Sequence, residues 1–227
     1  RQRQMCIRDR NRTGHHAVSV WLMHQQPGVS EFALKTITQW FFYLPTQDGT
    51  VFLLNNPLVK DENQHPDKAN TDQILTDYHN ANFSSLIIAT HEQARLKEVA
   101  WAAVGCSNVF GVNTKLVVVL RDFRNWVASC VKMAYRDNKP VEEIINGDKV
   151  DIYIDHCNYY MDIKGENCIL FNRWVSEGDY RREVAEMLDL HFTDAALDQL
   201  SPFGGGSSFT EMEFLKNASQ MKVNNRY

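Results

Sequence analysis

Two short segments carry the residue types from which a phosphate site is built. The first is Arg12-Thr13-Gly14-His15-His16, directly ahead of the apolar run Ala17-Val18-Ser19-Val20-Trp21-Leu22-Met23. A turn with a central glycine that opens onto a helix N-terminus presents backbone N–H groups and the positive end of the helix dipole to an anion. Arg12 would add charge there, and Thr13, His15 and His16 would add donors. The same pattern also describes an ordinary polar helix cap, and the G-x-x-x-x-G-K-[ST] phosphate loop is not present. The second segment is Val117-Val118-Val119-Leu120-Arg121-Asp122-Phe123-Arg124-Asn125-Trp126-Val127-Ala128-Ser129. Ligands of open α/β sheets bind at the carboxyl ends of strands, where Arg121 falls. A helix returning past that point can bring the Ser129 hydroxyl beside the guanidinium, and together they can hold one phosphate. The alternative is a surface Arg121-Asp122 ion pair with Ser129 as a helix-packing residue.

Both segments need a scaffold that gathers strand ends. Ser85-Leu86-Ile87-Ile88-Ala89-Thr90 and Lys115-Leu116-Val117-Val118-Val119-Leu120 predict buried strands. A continuous apolar run bounded by charge suits a central parallel strand covered on both faces. Residues 92–104 predict a helix with Leu96, Val99, Ala100 and Ala103 on one stripe, and further helices are expected over 125–135, 150–163 and 179–190. Cys168-Ile169-Leu170-Phe171 predicts a third strand. Phe41-Phe42-Tyr43-Leu44 and Val51-Phe52-Leu53-Leu54 flank Thr46-Gln47-Asp48-Gly49 and predict a strand pair. Residues 55–82 are polar and predict a long excursion with one short helix, of the kind that carries substrate contacts. Strands alternating with helices give a βαβ architecture with a mostly parallel sheet.

Composition narrows the classes further. The chain has 227 residues, 44% hydrophobic and 11% aromatic, enough for one substantial core and too apolar for intrinsic disorder. Residues 1–10 have no helical or alternating period and resemble translated sequencing-adapter read-through. They are set aside as a non-native segment, and 11–227 is expected to be a single domain cut at both ends. That segment carries four Arg and one Asp, so without it the formal net charge moves from −4 to −7. An acidic protein is not a general nucleic-acid or membrane-surface binder, and an anionic substrate would need a local basic site. No apolar run reaches the length of a membrane span. Cys106, Cys130, Cys157 and Cys168 are scattered, without a C-x-x-C pair, and read as reduced thiols of a cytoplasmic protein. His24, His65, His79, His156 and His191 lack ligand spacing, so no metal is expected. Oligomeric state has no signal in the sequence.

With both segments in view, the chain resembles the sulfotransferases that use 3′-phosphoadenosine 5′-phosphosulfate (PAPS). These carry an N-terminal strand-loop-helix of the type [K/R]-[S/T]-G-[T/S/N]-[T/H] that cradles the 5′-phosphosulfate. They also carry a strand followed by R-D-P-R-D-x-x-x-S, whose first Arg and final Ser bind the 3′-phosphate. Arg12-Thr13-Gly14-His15-His16 is similar to the first, and Arg121-Asp122-Phe123-Arg124-Asn125 with Ser129 to the second, at the same eight-residue interval. Fainter similarity runs along the rest of the chain. Ile87-Ile88-Ala89-Thr90-His91 resembles the strand and K-T-H that supply a base, and Leu170-Phe171-Asn172-Arg173-Trp174 resembles the Y-E-D-L segment. Phe203-Gly204-Gly205-Gly206-Ser207-Ser208-Phe209 falls where the family has a loop closing over the nucleotide. Its glycines would let backbone N–H groups approach a phosphate, although a surface linker has the same composition.

The resemblance implies a phosphate-loop three-layer α/β/α fold with a central, mostly parallel sheet, and sulfonate transfer from PAPS to a small-molecule or glycan acceptor. Arg12 and the loop amides would stabilise the transferring group and the leaving phosphate. His91 would be the general base, with Glu92 the alternative, since related sulfotransferases use a carboxylate. Residues 55–82 and the helix with Tyr153, Tyr159 and Tyr160 would flank the acceptor. The chain departs from the family pattern at His15-His16 in place of a hydroxyl pair, at Phe123 in place of Pro and at Ala89 in place of Lys. Two other readings stay open. One is a different phosphate-loop phosphotransferase, which would want the Lys that is missing here. The other is a non-catalytic nucleotide-binding or interaction protein of the same fold.

Overall fold

The computed structural model describes residues 3–9, 14–25, 35–38, 41–46, 49–55, 86–92, 95–97, 99–100, 104 and 113–198. Within them the chain forms a mixed α/β domain. Its strands are β1 (Arg3–Asp9), β2 (Lys35–Thr38), β3 (Phe41–Thr46), β4 (Gly49–Asn55), β5 (Leu86–Glu92), β6 (Asn113–Leu120) and β7 (Cys168–Leu170). They make one seven-stranded sheet in the order β2-β3-β4-β5-β1-β6-β7. From β4 to β7 every neighbouring pair is parallel, while β2, β3 and β4 pair antiparallel at the edge. β1 lies between β5 and β6, so the chain winds to one side of β1 and later crosses to the other. Such a topological switch point is where open α/β sheets bind ligands.

The helices are α1 (His15–Met23), α2 (Phe123–Arg136), α3 (Val141–Ile144), α4 (Gly147–Asp162), α5 (Phe171–Ser176) and α6 (Gly178–Met187). Residues 96–97, 99–100 and 104 are helical as well. The period-two alternation of β6 and β7 sorts their side chains between two apolar layers. Val117, Val119 and Ile169 join Val18, Trp21 and Leu22 of α1 with Tyr180 and Val184 of α6. Val118, Leu120 and Cys168 face the other way, toward Leu96 and toward Cys157, Tyr159 and Tyr160 of α4. Burial on both faces is what the Leu/Val run requires of a central parallel strand. Val18 to Gln25 are buried without interruption, so α1 is enclosed rather than amphipathic. Just beyond α1, Gln25 is buried with its amide satisfied. The Gln25 side chain donates to the Trp21 and Thr193 carbonyls at 2.8 and 2.9 Å and accepts from the Thr193 N–H at 2.8 Å.

The predicted strands at 85–90 and 115–120, the 41–54 strand pair and the helices at 125–135, 150–163 and 179–190 are all present. Five differences have physical causes. Residues 1–10 carry no apolar period, yet Arg3–Asp9 pairs with both β5 and β6, because ladder hydrogen bonds come from the backbone and not from an apolar pattern. Glu92 ends β5 instead of opening a helix, held by its pairing with Asp9. Phe171 starts α5 instead of ending β7; the helix is short and stapled by Arg173 to Glu177, with guanidinium nitrogens 2.8 and 2.9 Å from one carboxylate oxygen. α1 begins at His15, two residues before the apolar run. β2 and α3 span four residues each, too short to show a period. The excursion after Asn55 lies outside the described residues.

Candidate functional site

The end of β6 is fixed by a cap and a cross-link. Asp122 is the N-cap of α2, its carboxylate accepting the Asn125 N–H at 3.0 Å and the Asn125 amide at 2.8 Å. The Asn172 side chain of α5 donates to the same carboxylate at 2.6 Å and accepts the Asp122 N–H at 3.1 Å. Asp122 therefore serves the turn as well as lying beside the Arg121 charge. Partial burial pushes the Asp122 carboxyl up; the Asn125 and Asn172 hydrogen bonds and the Arg121 charge outweigh it and leave the group below its ordinary range.

Arg121 is buried, 3% exposed, immediately beyond Leu120. Burial pulls its guanidinium down to about 10, with Asp122 and Cys130 opposing that shift through their charges. It remains a cation at neutral pH. The buried side of α2 carries Asn125, Trp126, Ser129 and Cys130. Ser129 is one turn on from Asn125, on the same side, and its neighbour Cys130 is close enough to act on Arg121. Ser129 is thus a buried residue of the helix that begins two residues after Arg121. The Tyr153 hydroxyl donates to the Arg121 carbonyl at 2.7 Å, and its ring stacks on Trp126 at 5.2 Å. Tyr153 thereby pins the backbone of Arg121. Tyr159 and Tyr160 pack on Val118, Leu120 and Cys168.

Gly14 stands at the N-terminus of α1 with φ 97° and ψ 12°, the left-handed region that glycine adopts without strain. Its carbonyl accepts the Ala17 and Val18 N–H groups at 3.0 and 3.3 Å. Among the described residues no side chain caps the helix, and no carboxylate sits in its first turn. A Cβ on Gly14 would overlap Cε2 of Phe171, with Cζ and Cδ2 of the same ring edge nearly as close. The Arg121 guanidinium lies over that ring, 5.1 Å from its centroid. One buried ring therefore touches both sequence segments, Gly14 at its edge and Arg121 over its face. Trp174 stacks on it at 5.8 Å and meets Trp21 of α1 edge-on, also at 5.8 Å.

β5 brings His91 and Glu92 to the same end of the sheet. Arg8 of β1 is level with His91 on one side and Val118 on the other, and Asp9 is level with Glu92. Arg121 follows Val118 by three positions. His15 and His16 are the first two residues of α1, with His16 half-buried. Arg12, Thr13, Gly204, Gly205 and Gly206 lie outside the described residues. Among the described residues no group of three or more His, Cys, Asp or Glu has metal-binding geometry, and no helix is long and apolar enough to cross a membrane. Sequence reasoning did not single out Phe171 or Asn172 for these positions; the only signal was their place in the Y-E-D-L-like segment. No known protein-family model matches the chain, and no characterised protein matches it at a significant level.

Proposed function

We propose that the chain is a sulfotransferase of the phosphate-loop three-layer α/β/α type, transferring a sulfonate group from PAPS to a hydroxyl or amine acceptor. The contact of Phe171 with both Gly14 and Arg121 carries this reading. A helix N-terminus and a buried guanidinium are two anion-binding devices of different kinds, and a nucleotide phosphorylated at both 5′ and 3′ positions asks for two. The donor set fits such a ligand: a phosphate beside Arg121 and Ser129 would offset the desolvation of the guanidinium with charge-assisted hydrogen bonds. The switch-point position of β1 supports the same place.

The donor supplies an activated sulfonate on a phosphate leaving group. Arg12 and the amides ahead of α1 would bind its 5′ end and stabilise charge as it develops, and Gly204 to Gly206 would close over the nucleotide. Arg121 and Ser129 would hold the 3′-phosphate. His91, or Glu92, would take the proton of the acceptor hydroxyl as its oxygen bonds to sulfur. The bond from sulfur to the bridging oxygen breaks and its electron pair leaves with the 5′-phosphate. Ala89 in β5, where the related motif has Lys, favours a second reading: a nucleotide-binding protein of this fold without turnover.

Calorimetric titration with 3′-phosphoadenosine 5′-phosphate, with ATP alongside, tests the ligand class. Arg121→Ala and Ser129→Ala should each weaken the 3′-phosphorylated nucleotide about tenfold or more and barely change its dephosphorylated analogue. Equal loss for both ligands would remove the assigned role. His91→Ala should lower turnover more than affinity, and unchanged turnover would move the base to Glu92. Selective binding without turnover on any acceptor would leave the binding-protein reading in place.

A further inference from the structure

A cleft of about 230 Å³ opens between α4 and the helical residues that follow β5, lined by Arg95, Leu96, Lys97, Asp151, Ile152 and Asp155. We propose that it is the acceptor subsite and that it takes a polyhydroxylated ring, one sugar unit, rather than an apolar phenol. The assignment rests on the transferase reading for its role, though not for its ligand class.

Its position follows from two chain connections. Arg95 stands three residues after Glu92, so one wall of the cleft begins within about 11 Å of the end of β5. On the other wall, Asp151 and Asp155 flank Tyr153 on α4, whose hydroxyl holds the Arg121 carbonyl. Along α4 the cleft is level with Tyr153, the residue pinned to the strand end that carries the proposed 3′-phosphate site, and opens on another face of the helix. Asp155 also accepts the Leu96 N–H at 3.2 Å, which fixes the two walls to each other.

The ligand class follows from the lining. Four of the six side chains are charged, two of each sign, and two are apolar. Hydroxyls donate to carboxylates and accept from guanidinium and ammonium groups, so a ring bearing several can use both signs at once. A phenol or steroid would cover charged groups without replacing their hydration, which is costly. Balanced charge gives no preference for a strongly ionic acceptor. Leu96 and Ile152 offer apolar surface to the C–H groups of a ring. The volume lies below the roughly 300–1,000 Å³ of pockets for drug-sized ligands, which limits the occupant to about one ring.

Saturation-transfer NMR on the full chain, using methyl glucoside, methyl galactoside and N-acetylglucosamine against p-nitrophenol, reads the assignment directly. At least one glycoside should bind. Asp151→Asn and Lys97→Met, both exposed, should weaken it about tenfold, with the thermal midpoint and the affinity for 3′-phosphoadenosine 5′-phosphate unchanged. Glycoside binding that ignores both substitutions would overturn the location. Failure of every glycoside, or preference for the phenol, would overturn the ligand class. Glycoside binding that responds to the variants in a protein without affinity for the nucleotide would support the sugar subsite and sink the transferase reading.

Discussion

Gly14→Ala puts the junction of the two phosphate-site segments to a direct test. Alanine at φ 97° must hold a left-handed conformation, at about 1–2 kcal/mol. Its methyl would also overlap Cε2 of Phe171, inside any real carbon–carbon contact. Phe171 cannot swing away cheaply, because it is buried, stacked on Trp174 and overlaid by Arg121. Relieving such an overlap costs about 1–3 kcal/mol. The two effects together come to about 3 kcal/mol, or a fall in Tm of about 6–12 °C for a chain of this size.

Thermal and urea unfolding would measure it, with Gly147→Ala as control. Gly147 opens α4, and a Cβ there meets nothing within 4 Å, so that substitution should be neutral or slightly stabilising. A double-mutant cycle separates the two causes. In a Phe171→Leu background the overlap is relieved and only the backbone strain is left, so the coupling should be about 1–3 kcal/mol. A Gly14→Ala loss below about 0.5 kcal/mol would refute the left-handed requirement. Equal loss in both backgrounds would refute the claim that glycine makes room for the ring. Because Phe171 also supports Arg121, Gly14→Ala should reduce selectivity for the 3′-phosphorylated nucleotide along with stability.

Two other perturbations follow from buried polar groups. Arg181 makes a two-point pair with Asp194, both contacts at 2.9 Å, and donates to the Trp174 carbonyl at 2.7 Å. Arg181→Ala strands these acceptors and should cost about 2–3 kcal/mol in urea unfolding, less than a fully enclosed pair because Asp194 is partly exposed. A loss within error would show that water replaces the guanidinium. His24 is buried beside the Val20 carbonyl, its Nδ1 2.7 Å away, and burial lowers its pKa despite that hydrogen bond. The unfolded chain then binds more protons, so the contribution of His24 is present above about pH 6.5 and is lost as pH falls toward the lower folded value. His24→Gln should flatten Tm against pH between about 7.5 and 5.5, and an unchanged slope would place the titration elsewhere.

The legible parts of this fold are those in which side chains enforce the backbone state. The Leu/Val run of β6 is buried on both faces and could be read without any partner, and α2 and α4 show helical periods of ordinary length. β1 was not legible because its place in the ladder depends on what β5 and β6 offer on either side, and its own residues carry no pattern. The candidate site divides along the same line. The places of Arg121 at the end of β6 and of Ser129 on the buried side of α2 were readable because one strand-to-helix turn sets them. Phe171 was not, since nothing within 171–176 says that its ring will meet a glycine more than 150 positions earlier.

Gathering strand ends is a property of the topology, so the nearness of Gly14, Glu92 and Arg121 is weak support for chemistry by itself. Any parallel sheet with β1 between β5 and β6 would do the same with other residues. The two buried arginines discriminate better. Arg181 is matched by a carboxylate and carbonyl oxygens in the geometry of a structural pair. Arg121 is as deeply buried, and desolvation outweighs the Asp122 and Cys130 charges that oppose it. A fold selected for stability alone has a cheaper residue for that position, since apolar replacements of buried ions are often neutral or stabilising. Arg121→Met separates the two roles. It should leave the Tm within a few degrees of the parent or raise it, while abolishing discrimination for the 3′-phosphate. A large loss of stability would assign Arg121 to the scaffold and remove the main chemical support for an anion site.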